Sequence, residues 1–243
     1  MSDSPGALLR GDYHVHSSFS DDAVSTIAQN LDAAARIGLT EIRLIDHVRI
    51  DTTWVPEFLA EVTRESKYDE LAIFTGVEAK ILNARGEVDI PRGLVVGPGG
   101  VDAIVIADHQ FPGLDGPWSP EVTREKIAAG LAKEDALDIL IGATIAAMES
   151  VEWGQLAHCF SILPKIGLGE DDLSDEQLAA WAGAAARTGT LIEINEKWGC
   201  PAPRALRAAM AAGARLVAST DAHIASDVGR YDRVAALLNE LDS

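Results

Sequence analysis

The residues of this sequence best suited to chemistry are two histidines at the end of its first apolar segment. His14 and His16 are separated by one residue, and residues two apart on a β-strand project to the same side. Their imidazole rings can therefore reach one metal ion together. Such a pair is weak evidence by itself, because a lone histidine at a strand end is more often a hydrogen-bonded structural residue than a ligand.

The positions of the remaining histidines strengthen the metal interpretation. All six histidines of the chain lie at or just beyond the carboxyl end of a predicted strand, and no predicted helix carries one. Asp221 and His223 repeat the alternate spacing of the first pair, and further carboxylates occur at Asp21 and Glu78. Imidazole and carboxylate are ligand types suited to zinc, iron or manganese. The joint pattern therefore predicts a metal cluster.

The elements that must position these residues alternate along the chain. Apolar runs predict strands near residue 12 and over 41–46, 71–78, 101–108, 154–158, 190–195 and 215–219. Helical periodicity is found over 24–37, 57–67, 121–150 with a break near Gly130, 175–188, 203–212 and 231–241. About seven strands alternating with helices are typical of parallel βα units. In a barrel of such units the strand ends converge on one face. An open doubly wound sheet is the alternative, but no glycine-rich phosphate motif follows the first strand.

Composition narrows the class of protein. A chain of 243 residues, 47% of them hydrophobic, suits one large α/β domain over residues 1–243. A formal net charge of −18 makes nucleic acid and anionic membranes unfavourable partners. An anionic substrate needs a local positive centre in that field, and a metal cluster would supply one.

The expected location is the cytoplasm. The two cysteines, Cys159 and Cys200, are too few for a disulfide framework and are interpreted as reduced thiols. Residues 1–6 lack the basic and apolar regions of a signal peptide, and no apolar run approaches the ~20 residues that span a bilayer. The sequence does not fix an oligomeric state.

The ordered set of motifs resembles the PHP (polymerase and histidinol phosphatase) family from about residue 12 to residue 229. The motifs are His14-x-His16 with Ser20-Asp21, Asp46-His47, Gly76-Val77-Glu78, Asp108-His109, Ala157-His158, Glu193-x-Asn195 and Ser219-Thr220-Asp221-Ala222-His223. The resemblance implies a distorted (β/α)7 TIM-like barrel with two to three divalent transition metal ions (zinc, manganese or iron) at the strand carboxyl ends. It also implies hydrolysis of phosphate esters.

The resemblance further implies nine metal ligands. One ion would be held by His14, His16, Glu78 and Asp221, a second by Glu78, His109 and His158, and a third by Asp21, His47 and His223. Two departures from the family pattern are present. Asp22 stands where a glycine is common and competes with Asp21 as a ligand, and Cys159 stands where proline is common, with a packing role expected.

Catalysis would follow from the shared carboxylate. Two ions that share Glu78 would lower the pKa of a bridging water toward about 7, and Glu78 and Asp221 would position the resulting hydroxide for attack on phosphorus. Positive side chains on the same face would orient the phosphate; Lys197 is the first choice, followed by Arg49 and Lys80. Glu193 is expected to support a neighbouring side chain by a hydrogen bond rather than bind metal.

The leading functional hypothesis is a metal-dependent phosphomonoesterase acting on a small phosphorylated metabolite, with histidinol phosphate suggested by family precedent. The alternatives are a phosphodiesterase or nuclease, hydrolysis of an amide or lactone, and a metal-binding scaffold without catalysis. Four loop aromatics either wall a substrate pocket or cap the barrel, and the sequence does not separate these roles: Trp54, Phe111, Trp118 and Trp198.

Overall fold

The computed structural model describes residues 5–241. The interpretation of the first residues as lacking a signal peptide falls largely on residues 1–4, which lie outside the described residues, as do residues 242 and 243. The prediction of one domain over 1–243 stays a prediction. Within 5–241, none of the helices is long and apolar enough to cross a membrane.

Seven of the nine strands in the described range form one parallel sheet in the order β1-β2-β3-β4-β7-β8-β9. The other two form an antiparallel hairpin. The strands are β1 Gly11–Val15, β2 Glu41–His47, β3 Ala72–Lys80, β4 Ala103–Ala107, β5 Phe111–Gly113, β6 Gly116–Trp118, β7 Gly154–Leu156, β8 Leu191–Asn195 and β9 Leu216–Ser219.

The two edges of the parallel sheet meet just beyond β9. Val15 forms a parallel bridge with Ala222, and the amide of His16 donates to the Ala222 carbonyl at 2.8 Å. The sheet is thereby nearly closed into a distorted seven-stranded barrel. The predicted (β/α)7 TIM-like fold is confirmed, and the open doubly wound alternative is not what the chain adopts.

Helices follow most of the barrel strands. Their bounds are α1 Pro5–Leu8, α2 Ile27–Ile37, α3 Val55–Glu65, α4 Pro120–Ala128, α5 Lys133–Ser150, α6 Asp175–Thr188, α7 Pro203–Ala212 and α8 Arg233–Leu241, with 3-10 turns at Pro164–Ile166 and Glu170–Asp172.

Local capping chemistry sets the ends of these helices. The helix predicted over 24–37 begins later, at Ile27, because Thr26 caps it and forms a capping box with Gln29. Its predicted end at Gly38 is confirmed, since Gly38 adopts a left-handed φ of 79°, a conformation that glycine reaches without strain. The ends of α7 agree with the predicted range of 203–212.

Strand register defines the interior of the barrel. Residues paired between neighbouring parallel strands point to the same side of the sheet. Three pairs on β2 and β3 point inward, and in order from the amino end they are Arg43 with Phe74, Ile45 with Gly76, and His47 with Glu78. Ile45 packs with Val105, Ala107 and Ala157 in a buried apolar cluster. The interior is therefore apolar in the middle and polar at both ends.

Both cysteines are free and buried. Cys159 lies in the largest apolar cluster of the described residues, and burial raises the pKa of its thiol well above the usual value. A neutral, packed thiol is what the sequence interpretation expected at this position.

Candidate metal centre

Glu78 is the centre of the polar end of the barrel. It lies near the end of β3 with a side chain that is only 1% exposed. Ring nitrogens of five histidines lie within 3.4 Å of its two carboxylate oxygens: His14 at 3.4 Å, His16 at 3.4 Å, His47 at 2.9 Å, His109 at 3.0 Å and His158 at 3.1 Å. These histidines lie at or just beyond the carboxyl ends of four different strands, so their convergence depends on the closed barrel.

Asp221 is a second carboxylate that faces the histidines. Its Oδ1 lies 3.4 Å from His16 Nε2 and 3.4 Å from His223 Nδ1. On its outer side, Oδ2 accepts a hydrogen bond from Trp198 Nε1 at 3.0 Å and lies 3.4 Å from Lys197 Nζ. Asp221 thus connects the buried histidines to the solvent-facing side of the site.

The loop after β1 contributes a third carboxylate, and it is that of Asp22. Asp22 Oδ2 lies 3.2 Å from His223 Nε2 and 3.5 Å from His47 Nε2. Asp21 is exposed, and within residues 5–241 its side chain makes no ion pair with these histidines. The ligand role of Asp21 stays a prediction, while Asp22 is the carboxylate that the fold turns toward His47 and His223.

Three histidines form a hydrogen bond through Nδ1, on the side of the ring that faces away from Glu78. Glu193 Oε2 lies 2.9 Å from Nδ1 of His14. The hydroxyl of Ser20 lies 3.2 Å from Nδ1 of His16, and that of Ser161 lies 3.0 Å from Nδ1 of His158.

Each of the two serines donates its own hydroxyl proton to an aspartate. Ser20 donates to Asp46 at 2.7 Å, and Ser161 donates to Asp108 at 2.8 Å. Both hydroxyls are therefore left as acceptors for the imidazole Nδ1–H. This arrangement keeps one proton on Nδ1 and directs Nε2 toward Glu78, where Nε2 can bind a metal ion once it carries no proton.

Backbone strain occurs at two of these residues. Asp221 has a φ of 54° and His158 a φ of 27°, both in the left-handed region that residues with a side chain rarely adopt. Strain of this kind is retained where the surrounding structure fixes it, often at functional sites.

Charges in the cluster hold one another ionised. Although burial opposes it, His109 and His14 keep the pKa of Glu78 well below its usual value. Burial likewise disfavours the cation on His158, but Asp108 and Glu78 raise its pKa to about 10. For His16 burial prevails and lowers the pKa to about 4. The carboxylates of this site are thus anionic at neutral pH and attract cations.

The donor set fits bound metal ions. Within the described residues Glu78 Oε2 is buried yet accepts no hydrogen bond. Nε2 of His14 and Nε2 of His16 lie 2.9 Å apart, so that one proton, or one metal ion in its place, can be shared between the two rings. Three groups of ligand atoms lie within 4.8 Å of one another: His16 with His47 and His223, His14 with His16 and Asp221, and His47 with Glu78 and His109.

The three predicted phosphate-binding cations differ in position. Lys197 is at the site, 44% exposed, with Nζ 3.3 Å from His223 Nδ1. Lys80 is directed elsewhere, with Nζ 3.4 Å from Gln110 Oε1 and 3.8 Å from Asp89. Arg49 is exposed, and among residues 5–241 its side chain does not contact the histidine cluster.

The loop aromatics divide into two groups. Phe111 and Trp118 are buried and stack at a centroid distance of 5.6 Å, while Trp54 packs on Phe58. These three therefore pack against other aromatic side chains. Trp198 alone among the four lies at the site, where its ring is 6.0 Å from that of His158.

Lys165 is a cation of the site that sequence reasoning missed. Its Nζ lies 4.0 Å from the centre of the Trp198 ring, beside the exposed edge of the histidine cluster. It comes from the 3-10 turn Pro164–Ile166, and no local pattern marks it. The supporting role of Asp46 and Asp108 was also missed, although each directly precedes a histidine in the sequence.

The chain is similar in sequence to a known domain family and to proteins named as phosphatases. Residues 12–197 match the family model of the PHP domain. A probable phosphatase of Vibrio atlanticus is 24% identical over 236 residues, which cover 96% of this chain and 86% of the relative. A probable phosphatase of Clostridium acetobutylicum is 23% identical over 243 residues, covering 95% and 86%.

A solved structure has the same fold. Histidinol phosphate phosphatase from Lactococcus lactis, complexed with zinc, L-histidinol and phosphate, superimposes with a TM-score of 0.63 at 18% identity. The match covers 95% of this chain and 93% of that protein.

Proposed function

Because the chain belongs to the PHP domain family, we propose that it is a metal-dependent phosphomonoesterase that acts on a small phosphorylated metabolite. The observation that carries the proposal is the convergence of five imidazole rings on the buried carboxylate of Glu78. The phosphatase names of the relatives, and the zinc and phosphate in the solved histidinol phosphate phosphatase, support the same chemistry.

The site would hold two to three zinc, manganese or iron ions. When bound, divalent ions of this kind lower the pKa of water toward about 7 and neutralise phosphoryl oxygens. The proposed ligand sets are His14, His16, Glu78 and Asp221; Glu78, His109 and His158; and His47, His223 and a carboxylate of the β1 loop. The contacts of Asp22 with both histidines favour it over Asp21 as that carboxylate.

The chain's own residues prepare the site for cations. Glu193, Ser20 and Ser161 hold the Nδ1 protons of three histidines, so the Nε2 lone pairs are oriented before an ion arrives. Glu78 and Asp221 supply negative charge without the protonation that burial alone would cause.

Lysines at the exposed edge would orient the substrate. Lys197 lies 3.4 Å from Asp221, and Lys165 lies over the indole ring of Trp198. Their ammonium groups would attract the phosphate of a monoester that enters beside the carboxylates.

The charge of the chain favours a small substrate over a nucleic acid. A net charge of −18 repels a polyanion over its whole length. A monoester interacts mainly with the local cluster, where metal ions and the two lysines reverse the sign of the field.

The proposal is tested by hydrolysis of p-nitrophenyl phosphate by metal-loaded protein. Wild type should hydrolyse it far faster than the Glu78→Ala and Asp221→Ala variants, and the exposed Glu125→Ala variant on α4 serves as the matched control. Bis(p-nitrophenyl) phosphate, a diester, should be a much poorer substrate. Equal rates for wild type and the two site variants would exclude phosphatase activity at this site, and a preference for the diester would overturn the monoesterase assignment.

A further inference from the structure

Within residues 5–241, the amino-terminal end of the barrel interior holds a buried cation that no carboxylate contacts, although the charges of Asp102 and Glu193 act on it from farther away. Arg43 is only 7% exposed. A guanidinium carries five N–H donors, yet one hydrogen bond of this group is observed in the described chain, from Nη1 to Oε1 of Gln155. Nε is buried with no acceptor, and among residues 5–241 no carboxylate forms an ion pair with Arg43.

Such a group is costly unless something compensates it, because a buried charge lacks both water and a partner. Two neighbouring aromatic rings compensate in part, since the guanidinium carbon lies 5.0 Å from the centre of the Tyr13 ring and 5.9 Å from that of Phe74, which stack on each other beside it. Burial lowers the pKa of Arg43 to about 10, so the side chain remains a cation at neutral pH.

Arg43 opens onto a wide depression on this face of the molecule. The depression is open to solvent and has a volume of about 1820 Å³. Tyr13 and Phe74 line it beside Arg43, and Arg215 and Trp153 stand at its rim. Trp153 is 67% exposed and has a φ of 57°, so an indole is presented to solvent here in a strained backbone conformation.

We propose that this depression, which we call the basal site, binds a small carboxylate with an apolar or aromatic body. The carboxylate would pair with the Arg43 guanidinium, whose planar fork matches two oxygens, and Tyr13 and Phe74 would flank it. Arg215 adds positive charge at the rim, while the apolar body lies toward Trp153.

Acidic groups around the basal site select for a single negative charge. Glu152 and Asp102 line the same depression. Asp102 accepts hydrogen bonds from the amide and hydroxyl of Thr75 at 2.7 and 2.9 Å, so it is a fixed carboxylate that attracts Arg43 from a distance without contacting it. A polyphosphate or dianion would be repelled by both groups, whereas a monocarboxylate would be tolerated.

Calorimetric titration with benzoate tests the proposal, with benzamide as the uncharged analogue of the same shape. Metal-loaded wild type should bind benzoate with a dissociation constant in the millimolar range or below and should bind benzamide at least 10-fold more weakly. Arg43→Met should weaken benzoate binding at least 10-fold, and Arg43→Lys should weaken it less, because a charge remains. Glu78→Gln, at the opposite end, should bind benzoate as wild type does.

Two further variants keep the test decisive if Arg43→Met does not fold. Arg215→Ala and Trp153→Ala change exposed rim residues and should each weaken benzoate binding several-fold. Absence of benzoate binding to wild type, or equal binding by wild type and the folded Arg43 or rim variants, would overturn the proposal. Loss of binding in Glu78→Gln alone would place the benzoate at the metal centre and would overturn it as well. None of these results depends on the phosphatase assignment.

Discussion

The two ends of the barrel interior differ in the contacts that their buried charged groups make, although strand β2 contributes a residue to both ends. On β2, His47 reaches the carboxyl end, where its Nδ1 lies 2.9 Å from Glu78. Arg43, four residues earlier, reaches the amino end and has no ionic partner among the described residues. Ile45 and its apolar neighbours lie between them. At the carboxyl end, carboxylates and histidines contact one another in one network, whereas at the amino end the buried cation is contacted by a neutral amide and two aromatic rings.

Hydrogen bonds connect the two ends through Gln155. Its Oε1 accepts from Arg43, and its Nε2 donates to Glu193 Oε2 at 2.9 Å. Glu193 in turn holds Nδ1 of His14. The barrel interior is therefore apolar only in part, because this chain of hydrogen bonds passes beside the apolar cluster around Ile45.

We expect the largest loss of phosphatase activity when Glu78, at the carboxyl end of the barrel, is changed. Glu78→Gln keeps the size of the side chain but removes the charge that five histidines surround, so kcat/KM for p-nitrophenyl phosphate should fall by roughly 10³-fold or more. Steady-state kinetics of metal-loaded protein measures it, with Glu125→Gln as a control that keeps wild-type activity. A decrease in kcat/KM of less than tenfold would show that Glu78 is not essential to the catalytic metal centre.

A smaller effect is expected at Glu193, which contacts the proposed ligand His14 but is not itself a proposed ligand. Glu193→Gln weakens the hold on the Nδ1 proton of His14 without touching the metal-facing atoms, so metal affinity should fall about 10- to 100-fold. Competition with a fluorescent chelator measures this affinity. Activity at saturating metal should recover substantially, and a kcat that stays low at every metal concentration would contradict a purely positioning role.

The lysines allow a matched comparison within the carboxyl end. Lys197→Ala should raise KM about tenfold, or about 1.4 kcal/mol, near the low end for a charge-assisted contact because the lysine is 44% exposed. Lys80→Ala should raise it less, because Lys80 is directed to Gln110 and Asp89. Equal changes in KM for the two variants would show that position relative to Asp221 does not decide phosphate binding.

The smallest predicted effect concerns stability at a carboxyl group of the 3-10 turn Glu170–Asp172. Burial raises the pKa of Glu170 from 4.5 to about 7, so the folded protein binds this proton more tightly than the unfolded chain. The stabilisation is fully present below pH 4.5 and is lost as the pH rises toward 7. Glu170→Gln should remove on the order of 1 kcal/mol of that decline. Urea unfolding at several pH values measures it, and parallel curves for variant and wild type would refute the assignment.

The sequence predicted the elements well because their signals are local. Gly38 and Gly213 end helices where their left-handed conformations require glycine. The alternation of strands and helices predicted parallel βα units, and the family resemblance favoured the barrel over an open sheet. The convergence of histidines followed from this topology, since parallel strands present their carboxyl ends on one face.

The remaining features depend on contacts between distant residues. Ser161 and Asp108 are 53 residues apart, and Lys165 reaches Trp198 only through the packing of two loops. The hairpin of β5 and β6 lies in a stretch predicted to be a loop. Arg43 gave no signal either, because a lone arginine in an apolar strand does not reveal which way it faces before the register is known.

Elemental analysis of the protein purified without chelator tests the central claim most directly. We expect two or three transition metal ions per chain in wild type. Glu78→Gln should bind clearly fewer ions, since the proposed sites share that carboxylate. Well under one transition metal ion per chain in active, folded wild type would contradict the metal centre.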